Sequence, residues 1–290
     1  MCLFSRNMKQ AMRLPFTKMH GTGNDYLYID AFRRRLSDIP ALVRAMSDRH
    51  RGVGSDGLIL LLPSRAADVR MRMWNADGSE AEMCGNGIRC LARFAYETGR
   101  ARRPSLSVET KAGIKRVDLV FRGRDVSGAR VDMGAPILER SNIPMRGGAG
   151  RVVDETIRAG GTRVRVTAVS MGNPHCILFV SDPDRAPIET LGPVLERHPA
   201  FPNRTNVEFV SVEGPGRLYQ RTWERGAGET LSCGTGACAA AVAAILTGRA
   251  RPGRVRVRLL GGELFVEWGG SGSVFMTGDA VRVFEGVWAT

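Results

Sequence analysis

Long apolar runs, lysine and closely paired cysteines are what this sequence has least of, and each shortage removes a class of explanation. No stretch approaches the roughly 18 apolar residues that cross a membrane. The basic start, residues 1–13, lacks the apolar segment of a secretory signal. The expectation is a cytoplasmic protein with no membrane partner, whose first residues form an irregular extension before a first strand near Phe16; Met8 or Met12 would serve equally as a start. Only Lys9, Lys18, Lys111 and Lys115 are lysines, and none lies in a setting suited to a Schiff base, which argues against pyridoxal chemistry. The six cysteines (Cys2, Cys84, Cys90, Cys176, Cys233 and Cys238) include no pair at the short spacing of a structural zinc site, so no metal is expected. Without a secretion signal a disulfide framework is equally unsupported, and free thiols follow.

What is present is an ordinary globular composition, 43% hydrophobic and 24% charged, on a chain of 290 residues that is long enough for two domains. The formal charge of +13 raises the question of a nucleic-acid partner. The basic residues are nearly all arginine and fall in scattered groups such as Arg33, Arg34 and Arg35, or the alternating Arg254, Arg256 and Arg258, which reads as one solvated face of a strand. No zinc-finger, RNA-recognition or aromatic-basic pattern accompanies them, so no nucleic acid is expected.

The sequence repeats itself weakly at half its length. A shift of 149 residues pairs Trp74 with Trp223, Glu80 with Glu229 and Cys84 with Cys233, and continues through Ala92 with Ala241 to Gly99 with Gly248. The same shift, far upstream, pairs Gly23 and Asn24 with Gly172 and Asn173. One offset recurring at distant places signals duplicated structural units. Short apolar, β-branched runs at 26–30, 57–62, 69–74, 105–110, 164–169, 176–180, 207–212 and 254–260 read as strands. One helix is expected per half. The first spans about 86–98, with Arg89, Arg93 and Glu97 as a polar stripe and Gly99 as its stop; the second spans about 235–247 and carries no charge from Ala237 to Leu246. A helix apolar on every side is a buried helix. The predicted fold is therefore α+β, with two pseudo-symmetric halves, each a curved, mostly antiparallel sheet wrapped around a central helix. The halves comprise residues 1–131 with 278–290, and 132–277, with a cleft between them.

Cys84 and Cys233 each stand immediately before a helix, in Cys-Gly-Asn-Gly and Cys-Gly-Thr-Gly respectively. The first amides of a helix lack internal partners and carry partial positive charge, so they favour a thiolate and can also hold a carboxylate. Two such ends facing each other suit stereochemical inversion: one thiolate removes an α-proton from an amino acid while the opposing thiol donates a proton to the other face. The other cysteines read as small buried apolar residues. A thiol redox protein is the competing reading, but redox cysteines are usually placed beside a resolving partner, and these two lie in separate halves.

The segments 16–25, 75–80, 84–90, 171–175, 203–207, 224–230 and 233–238, taken in order, resemble the diaminopimelate epimerase family, a pyridoxal-independent branch of the proline-racemase-like group. The resemblance implies that Cys84 and Cys233 are the acid-base pair and that backbone amides of Gly85, Asn86, Gly234 and Thr235 bind the α-carboxylate. It also implies that Asn24, Asn75, Asn173, Asn206 and Arg225 hold the polar ends of the substrate, with Glu224 and His175 near the reacting centre. Arg225 suits a carboxylate because its guanidinium binds one bidentately. Gly57 stands where some members carry glutamine, so a side-chain contact there is missing and a backbone group or water would replace it. The implied reaction is cofactor-free interconversion of LL- and meso-diaminopimelate, in lysine and peptidoglycan precursor synthesis, by a homodimer acting on a small amino-acid substrate. A racemase of the same fold acting on another amino acid such as histidine is the nearest alternative, and a noncatalytic arginine-rich binding protein is a remote one.

Overall fold

A computed structural model describes residues 13–289; the expected N-terminal extension, the alternative starts and Cys2 lie outside the described residues. The first half runs β1 (Arg13–Gly21), β2 (Asn24–Asp30), α1 (Ile39–Ser47), β3 (Gly57–Leu62), β4 (Val69–Asn75), β5 (Glu80–Ala81), α2 (Gly85–Glu97), β6 (Ser105–Thr110), β7 (Gly113–Arg122) and β8 (Asp125–Gly134). There follow β9 (Glu155–Ala159), β10 (Thr162–Ser170), β11 (Pro174–Phe179), α3 (Ile188–Glu196), β12 (Asn206–Gly214), β13 (Arg217–Glu224) and β14 (Gly228–Thr230). The chain ends with α4 (Gly234–Leu246), β15 (Gly253–Leu259), β16 (Gly262–Trp268), β17 (Val274–Asp279) and β18 (Val281–Ala289). Among the described residues no helix is long and apolar enough to cross a membrane.

The repeat is structural as well as sequential. The 149-residue shift carries β1 onto β10, α1 onto α3 and α2 onto α4 with both ends matched. It also conserves strand pairing. β2 lies parallel to β3 with Tyr26 opposite Gly57, and β11 lies parallel to β12 with His175 opposite Asn206. Val69 opposite Val108 recurs as Leu218 opposite Val257. The halves join where β8 runs antiparallel to β17, with Arg130 opposite Thr277 and Gly128 opposite Asp279. The shift exchanges these two pairs, so a pseudo-twofold axis passes between the two strands.

Each half wraps its sheet around one helix. α2 packs against β1, β2, β3, β4 and β6 to β8, and α4 against β10 to β13 and β15 to β17. α4 is buried continuously from Ala237 to Ala244. Its alanines have the highest helix propensity and, lacking bulk, let strands approach from several sides. A single large core joins both helices, and smaller clusters lie under α1 and under α3.

Two expectations need correction. Among the described residues each half has two α-helices rather than one, because α1 and α3 went unread. Both are nine-residue elements, and prolines obscure them: Pro40 opens α1 behind an Asp38 cap whose side chain accepts from the Ala41 amide, and Pro193 lies inside α3. Of the expected polar stripe, Arg89 turns inward. Arg93 and Glu97 do pair at 2.7 Å, but Arg89 is fully buried. Its guanidinium donates to the carbonyls of Gly85 (3.2 Å) and Asp279 (3.0 Å) and to Thr22 Oγ1 (3.3 Å).

Candidate active site

Each candidate thiol is the residue at which extended chain turns into helix. Cys84 caps α2 with φ −128° and ψ 126°, and Cys233 caps α4 with φ −115° and ψ 108°. The glycines that follow allow the two helix ends to converge. A Cβ on Gly85 would lie 2.9 Å from Met276 Cε, and one on Gly234 would lie 3.2 Å from Met276 Sδ, so a single side chain of β17 touches both N-termini. Between them opens a cleft of about 390 Å³ lined by Asn24, Asn75, Cys84, Gly85, Asn86, Asn173, Glu224, Arg225, Cys233, Gly234 and Thr235. A larger cavity of about 680 Å³, beside Phe16, Arg33, Arg34 and Arg282, contains neither thiol and none of these residues.

The hydrogen bonding of the two thiols differs. Cys84 Sγ donates to Asn24 Oδ1 at 3.4 Å, and that amide is held in place because Asn24 Nδ2 donates to Asp56 Oδ2 at 2.7 Å. Cys233 Sγ instead accepts the Gly236 amide at 3.3 Å, with Thr235 Oγ1 at 3.6 Å. Burial pushes the Cys84 thiol up, and the amides of Gly87 and Asn86 oppose that shift. Burial, then the Glu224 and Glu208 carboxylates, hold the Cys233 thiol well above the ordinary range. Glu224, which accepts from Thr230 Oγ1 at 2.5 Å, is itself pushed up by burial.

The floor of the cleft is tied across the halves. Thr22 Oγ1 donates to Asn86 Oδ1 (3.2 Å), Asn86 Nδ2 to Ser232 Oγ (3.2 Å) and Ser232 Oγ to Thr22 Oγ1 (2.8 Å). In this closed ring every hydroxyl donates once and the Asn86 amide uses both ends, so the two halves are joined by direct hydrogen bonds.

Three expected site residues stand behind the cleft wall rather than lining it. Asn206 is buried beneath the cleft; its Nδ2 donates to the Pro174 carbonyl (3.1 Å) and its Oδ1 accepts the Arg225 amide (2.9 Å), so it shapes the backbone that presents Arg225. His175 is fully buried behind Asn173. Gly57 is a close-approach position: a Cβ there would lie 2.0 Å from the Trp74 carbonyl, so β3 and β4 leave no room for a glutamine at their present spacing. Conversely, sequence reasoning overlooked Tyr26, Met73, Met171 and Ser232, which line the cleft, and Asp56, which orients Asn24. It also missed Glu208, whose position in the middle of an apolar strand was a readable signal. The donor atoms of His175, Glu208 and Cys233 lie within 4.8 Å of one another. Both ring nitrogens of His175 are already engaged by protein oxygens, which accounts for this cluster without an ion.

A sequence model of the family described as diaminopimelate epimerase matches residues 16–139 and 167–283. The chain is 54% identical over 273 residues to the diaminopimelate epimerase of Pelotomaculum thermopropionicum, covering 93% of this chain and 97% of that protein. It is 56% identical over 277 residues to that of Desulforudis audaxviator, covering 95% and 99%. Among solved structures, a phenazine biosynthesis protein of the PhzF family from Bacillus anthracis matches with a TM-score of 0.71 at 17% identity, over 96% of this chain and 99% of that one. A hydroxyproline epimerase from Agrobacterium vitis, with trans-4-hydroxy-L-proline bound, matches with a TM-score of 0.67 at 17% identity, over 96% and 92%. At such identities these two likenesses speak for the fold alone.

Proposed function

The chain belongs to the diaminopimelate epimerase family, and from that premise we propose that it interconverts LL- and meso-2,6-diaminopimelate by proton transfer between Cys84 and Cys233. The reaction is an isomerisation that serves lysine and peptidoglycan precursor synthesis in the cytoplasm. The observation that carries the mechanism is the convergence of two helix N-termini, each headed by a cysteine, on one cleft whose glycines pack against the same methionine.

The amides of Gly85, Asn86, Gly234 and Thr235 bind the α-carboxylate, since two helix ends supply unpaired N–H donors and positive potential. The bound carboxylate places the α-carbon between the thiols. One cysteine, as thiolate, takes the α-proton; the other, as thiol, delivers a proton to the opposite face, and the roles exchange in the reverse direction. Burial strengthens the electrostatic help that the amides give to the carbanion formed between these steps. The far end of the substrate occupies the adjoining space of about 840 Å³, which shares Asn24, Asn75, Glu224 and Arg225 with the cleft and adds Asp56, Asp77 and Glu229. Arg225 then faces the distal carboxylate, and acidic side chains face the distal ammonium.

In deuterium oxide the purified protein is expected to exchange the α-hydrogen of LL-diaminopimelate without added cofactor, and Cys84→Ala or Cys233→Ala should abolish epimerisation. Full activity in either variant would sink the two-base mechanism. Turnover of histidine, proline or lysine in place of diaminopimelate would overturn the substrate assignment.

A further inference from the structure

The hairpin between β13 and β14 carries Arg225, and it follows the same plan as the hairpin between β4 and β5. In both, the fourth residue of a tight turn donates its amide back to the first: Ala227 to the Glu224 carbonyl at 3.2 Å, and Gly78 to the Asn75 carbonyl at 2.9 Å. The repeat pairs Arg225 with Ala76 and Gly226 with Asp77, so only the second turn presents a cation. What lies beneath the two turns also differs. The Ala76 amide donates to a backbone oxygen, the Asp56 carbonyl, at 3.0 Å, whereas the Arg225 amide donates to a side chain, Asn206 Oδ1, at 2.9 Å. The next amide, Gly226, donates to Glu196 Oε1 at 3.2 Å. Glu196 ends α3 and is buried, and its equivalent in the first half is the small, uncharged Ser47.

A carboxylate withdrawn from water is costly unless donors replace the solvent. Each oxygen of Glu196 meets one N–H group: Oε1 accepts from Gly226, and Oε2 accepts from the Trp223 indole Nε1 at 2.9 Å. The Arg204 guanidinium approaches from the exposed side, 3.6 Å from Oε1. The indole is held in turn by α3, since a Cβ on Gly192 would lie 2.7 Å from Trp223 Cγ and the ring therefore rests directly on the helix. Arg225 itself is exposed, and its Nη1 donates to the Asn203 carbonyl at 3.0 Å. A long exposed side chain loses freedom when it grips a ligand, so it serves best on a backbone that is fixed beforehand.

We propose that Glu196 is a positioning residue for the distal end of the substrate. By holding the Gly226 amide and the Trp223 indole it fixes the turn that aims Arg225, and so it contributes to the choice of amino acids that carry a second carboxylate. Two donors need two acceptors, which a carboxylate supplies and a carboxamide does not. The inference rests on reading Arg225 as the ligand of the distal carboxylate. That carboxylate is unchanged by proton transfer at the other end, so its binding is equal in the ground and transition states. Its loss therefore appears in KM rather than in kcat.

The test is steady-state kinetics of diaminopimelate epimerisation by the full chain carrying Glu196→Gln, which keeps the shape but turns an NH₂ group toward one of the two donors. KM is expected to rise about tenfold with kcat within about twofold of the native value. Adding Trp223→Phe removes the competing donor and leaves the glutamine oxygen to Gly226, so the double variant should recover most of the native KM. A merely structural defect would be compounded by the second substitution. An unchanged KM in Glu196→Gln overturns the proposal, as does a fall in kcat as large as the rise in KM, or a double variant worse than the single one. Arg225→Met separates this inference from the reading beneath it. If Arg225→Met leaves KM unchanged, the distal assignment fails and the role of Glu196 fails with it; if it raises KM while Glu196→Gln does not, only the positioning role is lost. Should Glu196→Gln not fold, amide hydrogen exchange of the native protein decides: Gly226, although exposed in a turn, should be protected like the neighbouring amides of β13, and exchange at the unprotected rate refutes its bond to Glu196.

Discussion

The thiols that take no part in the proposed chemistry give a sharp test of the burial argument, because their ionisation should limit stability in alkali. Cys90, Cys176 and Cys238 are completely buried. Burial pushes Cys90 and Cys238 up to about 12, and raises Cys176 further, with the Glu208 carboxylate adding to the shift. In the unfolded chain a thiol ionises near about 8.5. The unfolded state therefore loses protons first as pH rises. The stability that comes from keeping these thiols neutral is complete below about 8.5 and disappears as pH climbs toward the folded-state values. Linkage makes this about 2 kcal/mol per thiol between pH 7 and pH 10, or about 6 kcal/mol for three. Against a total of about 5–15 kcal/mol for a typical domain, that is a large share. Urea unfolding in the presence of reductant, for the native protein and a Cys90→Ala, Cys176→Ala, Cys238→Ala variant, measures it directly. The variant should be less stable at pH 7, by about 1 kcal/mol per lost sulfur. It should be the more stable protein at pH 10, so the two curves cross. Parallel curves would refute the reasoning, since the tyrosines and the two cleft thiols contribute equally to both proteins.

Two further outcomes follow from buried contacts near the cleft. Gly57→Ala drives a methyl group into the Trp74 carbonyl and displaces Asn75, which pairs with Gly57 across the strands. A loss of about 2–3 kcal/mol in urea unfolding is expected, with a rise in KM larger than the fall in kcat, and a variant within about 0.5 kcal/mol of the native protein would contradict the close approach. Arg89→Met leaves the Gly85 and Asp279 carbonyls without their donor and should cost about 3 kcal/mol. Because the Arg89 charge also helps ionise Cys84, the variant's Cys84 should alkylate only at higher pH; an unshifted Cys84 profile would remove Arg89 from the electrostatics of the cleft.

The duplicated plan was legible because it leaves the same residues at the same spacing, and the starts of α2 and α4 were read to within one residue because cysteine and glycine punctuate them. What escaped has physical reasons. α1 and α3 are too short to show a helical period and contain proline, which normally argues against a helix. Arg89 lies at helical spacing from Arg93 and Glu97, and periodicity cannot reveal that one member of such a row turns inward to meet carbonyls of another element. Asn206 was assigned to the substrate through the family motif, and no local pattern displays that both ends of its amide hold backbone. Glu208 was passed over inside an apolar run, although a carboxylate on a buried strand always needs a partner. Its partner, 33 residues away on the neighbouring strand, is fixed by parallel pairing that no local pattern displays.

The pseudo-twofold axis between β8 and β17 has a consequence for how charge can be distributed near it. Two identical chains meeting on such an axis must bring every ion in duplicate, and two guanidinium groups sharing one dry space would repel each other strongly. A continuous chain escapes that restriction. Arg89 lies where the equivalent position is Cys238, so an odd, unduplicated cation resides close to the junction, bonded to Thr22 and to the Asp279 carbonyl, at the end of β17. Covalent linkage of the halves thus permits a polarity across the cleft that an assembly of equal parts could not hold.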